Sequence, residues 1–426
     1  MKHVFQTLII LLFTNFLAFS QPRMSKVQIS IVPDHSDAMY HAGENAQVKI
    51  SVLDCGMALA ETTINYEVSE DLMPPHISKS ITLTGNETAI NIGSMKKPGF
   101  LRIKASLTHD GTKYTSMATV GFDAHLIKPT VILPDGFAGF WEKQVEAARK
   151  TALKPMMTLL PERCTDKVNV YHISYGNIGG SKMYGILTMP SAEGKYPAIL
   201  RFPGAGVGEK GGDIAHAEQG VIVLELGIHG IPVNLDGDVY ADLNRGALAS
   251  YPTYNIDNKY SYFYKRVYVG CVRGVDFLLW LPQCNGRIGT LGGSQGGALS
   301  IAVSALDNRI KATAAYFPAL SDMEGYMHNR AGGWPHILKN EKNRTPEIIE
   351  TARFYDTANF ARLLKSPVFY AYGYNDLACA PTTTCAVYNS ITAPKQVSIG
   401  ENTGHWLYPE QTAQMWNWII SELNKQ

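Results

Sequence analysis

The chain has 426 residues, a formal net charge of +1 and 45% hydrophobic residues. That length exceeds what one core usually organises, so two or three domains are expected. The near-neutral charge balance offers no basic field for nucleic acid or for an anionic membrane surface.

Residues 1–20 have the form of a secretory signal peptide. Lys2 and His3 give a weakly basic start, and Leu8 to Phe19 is apolar apart from Thr14 and Asn15. Ala18-Phe19-Ser20 is a small-x-small cleavage site before Gln21. The apolar run is too short to span a bilayer, so the mature protein is expected to be periplasmic or secreted, with no membrane span.

Residues 21–123 carry a period-two texture. Val27-Gln28-Ile29-Ser30-Ile31, Ala46 to Val52 and Leu101 to Leu107 alternate apolar with polar. Turn signals stand between such runs at His41 to Asn45, Thr84-Gly85-Asn86 and His109-Asp110-Gly111. Short strands at this spacing predict an immunoglobulin-like β-sandwich. It holds no catalytic cluster and reads either as a sugar-binding or assembly module or as a spacer.

Residues 124–137 look like a linker, and 138–426 form the larger domain. Phe140 to Lys150 has helical spacing with charges three and four apart. Val168 to Tyr175 and Lys182 to Pro190 read as a strand meander. Tyr196 to Phe202 and Gly220 to Leu226 are near-continuous apolar runs, the texture of strands buried on both faces of a parallel sheet.

The key stretch is Gly292-Gly293-Ser294-Gln295-Gly296-Gly297. A β-compatible segment, Arg287 to Leu291, precedes it, and a helical one, Ala298 to Leu306, follows. Strand, sharp turn and helix in that order is the setting of a G-x-S-x-G nucleophile elbow, with Ser294 on the turn. The glycines let strand and helix approach closely. The helix opening at Gln295 aims backbone N–H groups at the space above Ser294.

Two further parts follow in the order this architecture uses, serine, acid, histidine. Asp376 lies in the loop Gly373-Tyr374-Asn375-Asp376 after the apolar run Pro367 to Tyr372. His405 lies in Asn402-Thr403-Gly404-His405 after Gln396 to Ile399. The N–H of Gln295 and one from the glycine-rich loop Pro203 to Gly208 would form an oxyanion hole. Ala205 is the first choice for that second donor and Gly204 the next.

Asp322 and Asp356 are rival acids, but neither follows a sheet strand. His229 is out of order for a base and is a candidate pocket wall. An insert around residues 320–360, with Trp334, His328 and His336, is a candidate cap over the site, and Trp334 a candidate pocket residue. The six cysteines show no metal spacing; a Cys379–Cys385 bridge and free buried thiols are both open.

From about Phe140 onward the chain resembles the acetyl xylan esterase and cephalosporin C deacetylase family, carbohydrate esterase family seven. The resemblance rests on Tyr264-Lys265-Arg266-Val267-Tyr268, the Gly-x-Ser-Gln-Gly elbow, Val303-Ser304-Ala305-Leu306, Gly373 to Asp376 with Cys379 and Pro381, and Gly404-His405. It implies an α/β-hydrolase fold, a mostly parallel sheet with helices on both faces. It also implies a Ser294-Asp376-His405 triad, no metal or other cofactor, acetylated sugars or xylo-oligosaccharides as substrates, and a homo-oligomer. Three departures stand out. The family's Arg-Gly-Gln loop is replaced by Leu226 to Pro232, its His-Gly in the oxyanion loop by Pro203-Gly204, and the residue after the histidine is Trp406 rather than Glu.

The expected chemistry is acyl transfer through Ser294, with His405 as base and Asp376 fixing its tautomer. Alternatives from other classes are a serine peptidase or other acyl esterase on the same fold, and a carbohydrate-binding protein with a vestigial site.

Overall fold

The computed structural model describes residues 25–59 and 61–425; the expected signal peptide, residues 1–20, lies outside them. From Val27 to Phe122 the described chain is strand and turn, arranged as two sheets. Val27–Pro33, Ala46–Asp54, Met57–Ala58 and Thr88–Gly93 form one. Met39–Tyr40, Thr63–Glu70, Ile77–Thr82, Gly99–His109 and Thr112–Phe122 form the other. The alternation explains the layering: Ala46, Val48, Ile50 and Val52 are buried, while Gln47 and Lys49 face solvent.

Turn chemistry fits the pairing. Asp110 (φ 49°) and Gly111 (φ 72°) make a two-residue loop between the paired His109 and Thr112, the backbone hand that suits a tight hairpin. Thr84-Gly85-Asn86 does a different job. It carries the chain from one sheet to the other, because Ile77–Thr82 and Thr88–Gly93 belong to different sheets.

Residues 124–137 are strapped down along their length. Asn389 Nδ2 donates to the carbonyls of Ala124 and Ile127, each at 2.9 Å. Asp322 Oδ1 accepts from the Thr130 N–H, the Thr130 hydroxyl and the Val131 N–H. The helix after it spans Phe137–Lys150 and opens three residues earlier than its charge spacing suggests. Gly136, at φ 73°, turns the chain into it, and Phe137 is itself buried.

The large sheet has nine strands: β1 Met156–Leu159, β2 Val168–Gly176, β3 Lys182–Pro190, β4 Tyr196–Phe202, β5 Ile222–Gly227, β6 Cys284–Gly293, β7 Ile310–Tyr316, β8 Val368–Gly373 and β9 Lys395–Gly400. Their spatial order is β1-β2-β3-β5-β4-β6-β7-β8-β9. β1 to β3 form the meander, and β3 pairs antiparallel with β5. The remaining pairs are parallel.

Both sheet faces are covered, as the unbroken apolar strands require. Ile199, Val223, Leu291, Ala314 and Phe369 pack against Met415, Ile419 and Leu423 of the helix Pro409–Asn424. Their neighbours Ala198, Leu200, Ile222 and Leu224 point the other way, into the core containing Val267 of the helix Phe263–Trp280 and Leu299 of the helix Gln295–Leu306. Because β4, β6, β8 and β9 run parallel, the loops leaving their C-terminal ends gather at one sheet edge. Those loops carry Ala205, Ser294, Asp376 and His405 respectively.

All six cysteines are free thiols, so no bridge joins Cys379 to Cys385. Among the described residues no helix is long and apolar enough to cross a membrane. Nor is any cluster of His, Cys, Asp and Glu there arranged to hold a metal ion.

Candidate active site

Ser294 stands at φ 57° and ψ −124°, a backbone conformation that a side-chain-bearing residue rarely adopts. Strain of this kind costs about 1–3 kcal/mol and persists only where the surroundings fix it. They do so here. The Ser294 N–H donates to the Tyr316 carbonyl at 3.0 Å, and its carbonyl accepts from Ala298 and Ala319 at 3.1 and 2.9 Å. The glycines have a steric reason. A Cβ on Gly292 would lie 2.6 Å from the Gly296 backbone, one on Gly296 2.4 Å from the Phe202 carbonyl oxygen.

Asp376 and His405 meet directly. His405 Nδ1 lies 2.7 Å from Asp376 Oδ2. The other carboxylate oxygen, Oδ1, accepts the N–H groups of Ala378 and Cys379 at 2.8 and 2.9 Å. Asp376 is fully buried, while the His405 side chain keeps about a third of its surface open. That pairing assigns the proton on Nδ1 to the carboxylate side and leaves Nε2 facing outward as the acceptor.

Ser294 belongs to the same neighbourhood. Phe317, the residue after the carbonyl that anchors Ser294, packs its ring 4.3 Å from the His405 ring. The Cys379 thiol lies beside the Ser294 side chain, and burial together with Asp376 holds that thiol well above its ordinary pKa. Among the described residues no hydrogen bond joins the Ser294 hydroxyl to the His405 ring; apo sites often tighten that contact only with substrate bound.

The loop Pro203 to Gly208 is tied to the elbow by the Gln295 side chain, which is fully buried. Gln295 Nε2 donates to the Gly204 carbonyl at 3.1 Å. Its Oε1 accepts from the hydroxyls of Tyr251 and Tyr264, both at 2.7 Å. Tyr251 in turn accepts the Gly206 N–H at 3.1 Å. The Ala205 N–H has no hydrogen-bond partner among the described residues, and Ala205 is exposed. A free N–H on a braced loop can serve a developing oxyanion.

Tyr251 was not identifiable as a site residue by sequence. Its only local signal is the short turn Tyr251–Thr253. Tyr264 lies within the segment carrying the family resemblance, which gives it no stated role.

His229 packs edge-on against Tyr251 with ring centroids 4.7 Å apart. Burial, with help from Arg266 and Lys210, pushes its pKa down to about 4, so the ring is neutral at ordinary pH. It lines a small cavity with Pro203 and Gly206 of the loop Pro203 to Gly208 and with Tyr240. Trp334 packs its side chain on the main core, and its carbonyl accepts the Leu320 N–H at 2.8 Å. Among the described residues no hydrogen bond links it to Ser294, Asp376 or His405. Its neighbour His336 does approach the acid loop, where Asp376 is one of the charges acting on it.

The rival acids have structural duties. Asp356 caps the short helix Thr357–Ala361 and accepts the N–H groups of Asp322 and Met323 at 2.9 and 2.7 Å. Asp322 holds Thr130 and Val131 and pairs with Arg330. A cavity of about 900 Å³ lies at the opposite sheet edge, lined in part by Arg149, Arg273, Arg309, Asp276 and Asp307. Its arginines are engaged by its aspartates, for instance Arg149 with Asp307 at 2.8 Å and Arg273 with Asp276 at 2.7 Å.

The acetyl xylan esterase family (AXE1) matches residues 124–422. An acetyl esterase of Xylanibacter ruminicola, Axe7A, is 37% identical over 431 aligned positions, covering 99% of this chain and 97% of that protein. The acetyl xylan esterase of a Paenibacillus species superposes with a TM-score of 0.61 at 25% identity, covering 70% of this chain and 98% of its own. Acetyl xylan esterase 1 of a Thermoanaerobacterium species shares the fold, with a TM-score of 0.62 at 20% identity and coverage of 71% and 98%. The chain therefore belongs to the acetyl xylan esterase family.

Proposed function

We propose that this protein is a secreted or periplasmic serine carbohydrate esterase. It removes acetyl groups from acetylated sugars or xylo-oligosaccharides through an acyl-enzyme. The catalytic region is an α/β-hydrolase fold preceded by an immunoglobulin-like sandwich. The observation that carries the reading is the Asp376–His405 contact of 2.7 Å, made at the sheet edge where β6 turns sharply at Ser294.

The steps follow from the parts. His405 Nε2 takes the Ser294 proton as Oγ attacks the acetyl carbonyl. The tetrahedral oxyanion is met by the N–H groups of Gln295 and Ala205, and one such donor is typically worth about 3–4 kcal/mol. The C–O bond to the sugar breaks, and the imidazolium returns the proton to the sugar oxygen. Water, deprotonated by His405, then attacks the acetyl-enzyme, releasing acetate and restoring the Ser294 hydroxyl. Asp376 holds the ring in one tautomer and stabilises the imidazolium throughout.

Carbohydrate as the leaving group is supported by family membership and by the surface beside the base. Trp406 and Tyr408 stand partly exposed and edge-to-face, with centroids 5.0 Å apart, next to His405. Exposed aromatic faces of this kind suit the apolar faces of sugar rings. Export is supported by the basic start, apolar run and small-x-small site of residues 1–20. The homo-oligomer implied by the family is read directly by light scattering of the purified protein.

Turnover of p-nitrophenyl acetate, a longer acyl ester and a peptide anilide tests the class. Fast cleavage confined to the acetate supports the deacetylase. Equal or faster cleavage of the anilide or the long ester moves the reading to a peptidase or general esterase, and no turnover moves it to a binding protein.

A further inference from the structure

The loop carrying Asp376 is held by a residue outside the large sheet. Arg102 lies on the strand Gly99–His109, in the five-stranded sheet of the N-terminal region, opposite Thr119 of the next strand. Its side chain is 1% exposed. Nη2 donates to the carbonyls of Tyr374 and Asp376 at 3.1 and 3.2 Å. Nε donates to the Thr119 hydroxyl at 2.8 Å, and that hydroxyl donates to Asn375 Oδ1 at 2.9 Å. Tyr374, Asn375 and the acid Asp376 itself are thus each held from the N-terminal sheet. Phe100, two residues before Arg102 on the same strand face, packs edge-on against Tyr374 at 5.2 Å.

The far end of the loop is held too. Arg102 Nη1 forms a close ion pair with Asp71 Oδ1 at 2.8 Å, with both side chains 1% exposed. Asp71 Oδ2 accepts the Thr382 N–H at 3.2 Å, in the first turn of the helix Pro381–Ser390. Arg102 and Asp71 therefore clamp residues 374–382 at both ends.

A buried ion pair is a poor way to gain stability, because desolvating two charges offsets much of their attraction. A guanidinium presents five N–H groups in a rigid fork, so it fixes the directions of several acceptors at once. That combination suits positioning better than it suits stabilisation.

We propose that Arg102 is a positioning residue for the esterase site. Through the main chain of residues 374–376 it sets the Asp376 carboxylate, and through that carboxylate the His405 ring, in register with Ser294. The inference rests on the triad reading above and extends it: the N-terminal region completes the catalytic site rather than merely accompanying it.

The test uses the full-length protein with Arg102→Met, Arg102→Lys and Thr119→Val, assayed on p-nitrophenyl acetate. A fluorophosphonate probe titrates reactive Ser294 in each. Arg102→Met is expected to lower kcat at least about tenfold with KM changed less than about twofold, since small misplacements of a catalytic group are expensive. Arg102→Lys is expected to recover part of that loss, and Thr119→Val, which frees Asn375 and the Arg102 Nε but leaves the Arg102 Nη2 contacts to Tyr374 and Asp376, to show a smaller loss of the same kind.

Folded variants with wild-type kcat and wild-type labelling rate overturn the assignment, as does a loss confined to KM. Should Arg102→Met fail to fold, Thr119→Val decides by the same criteria. If the wild-type protein itself is not labelled at Ser294, the triad reading fails and this inference fails with it. Labelled wild type with unaffected variants removes the Arg102 role alone.

Discussion

The Tyr251 hydroxyl donates to Gln295 Oε1 at 2.7 Å while accepting the Gly206 N–H at 3.1 Å. One phenol thereby joins the residue after Ser294 to the loop that carries Ala205, the proposed second oxyanion donor. Tyr251→Phe removes both contacts and leaves the Gly206 N–H without a partner. The expected result is a kcat on p-nitrophenyl acetate about tenfold lower, below the full worth of an oxyanion donor because Ala205 and Gln295 still supply their N–H groups. Tyr264→Phe leaves the Tyr251 bridge in place, so its loss in kcat should be the smaller of the two.

Removing members of the proposed triad should not add up. Ser294→Ala is expected to abolish most activity, and Ser294→Ala with His405→Ala to cost little more, because the two act as a unit. Asp376→Asn can hold the wrong tautomer of the ring, with a loss in kcat of about 10⁴-fold. Steady-state rates of the single and double variants check this, and multiplicative losses would argue against a shared mechanism.

Gly296 packs where β4 ends. An added Cβ would stand 2.4 Å from the Phe202 carbonyl oxygen and 3.1 Å from that of Pro203, both backbone atoms that cannot swing aside. Gly296→Ala should cost about 1–3 kcal/mol of stability, the usual range for overpacking. It should also lower kcat by displacing the oxyanion loop. Urea unfolding midpoints measure the first effect, and an unchanged midpoint would contradict the close approach.

His229 gives a pH dependence with a defined sign. Burial pushes its pKa down to about 4 in the folded protein, against an ordinary value of 6.5. The unfolded chain therefore binds the proton more readily between those values. The stability associated with the neutral ring is fully present above pH 6.5 and is lost as pH falls toward 4, by at most about 3 kcal/mol. His229→Phe keeps an aromatic edge against Tyr251 and removes the titration. Unfolding midpoints compared at pH 7 and pH 4.5 should fall further for wild type than for His229→Phe; equal falls would contradict the assignment.

Much of this was legible along the chain because its causes are local. Period-two runs such as Ala46 to Val52 announced strands, and Gly292 to Gly297 between a β-compatible and a helical segment announced the turn. The order of Ser294, Asp376 and His405 follows from the order of the parallel strands that carry them. The contacts that were not legible join residues far apart in sequence. Nothing near Arg102 indicates that its guanidinium reaches Tyr374 and Asp376, and nothing near Tyr251 points to Gln295. The linker's apolar and turn residues have no period; its order comes from Asn389 and Asp322 in distant elements.

Acetate release from acetylated xylo-oligosaccharides, measured side by side for wild type and a folded Ser294→Ala variant, tests the proposed esterase most directly. The triad mechanism predicts steady release by wild type and release at the uncatalysed background by the variant, with matching circular dichroism. Release by Ser294→Ala at the wild-type rate would contradict it.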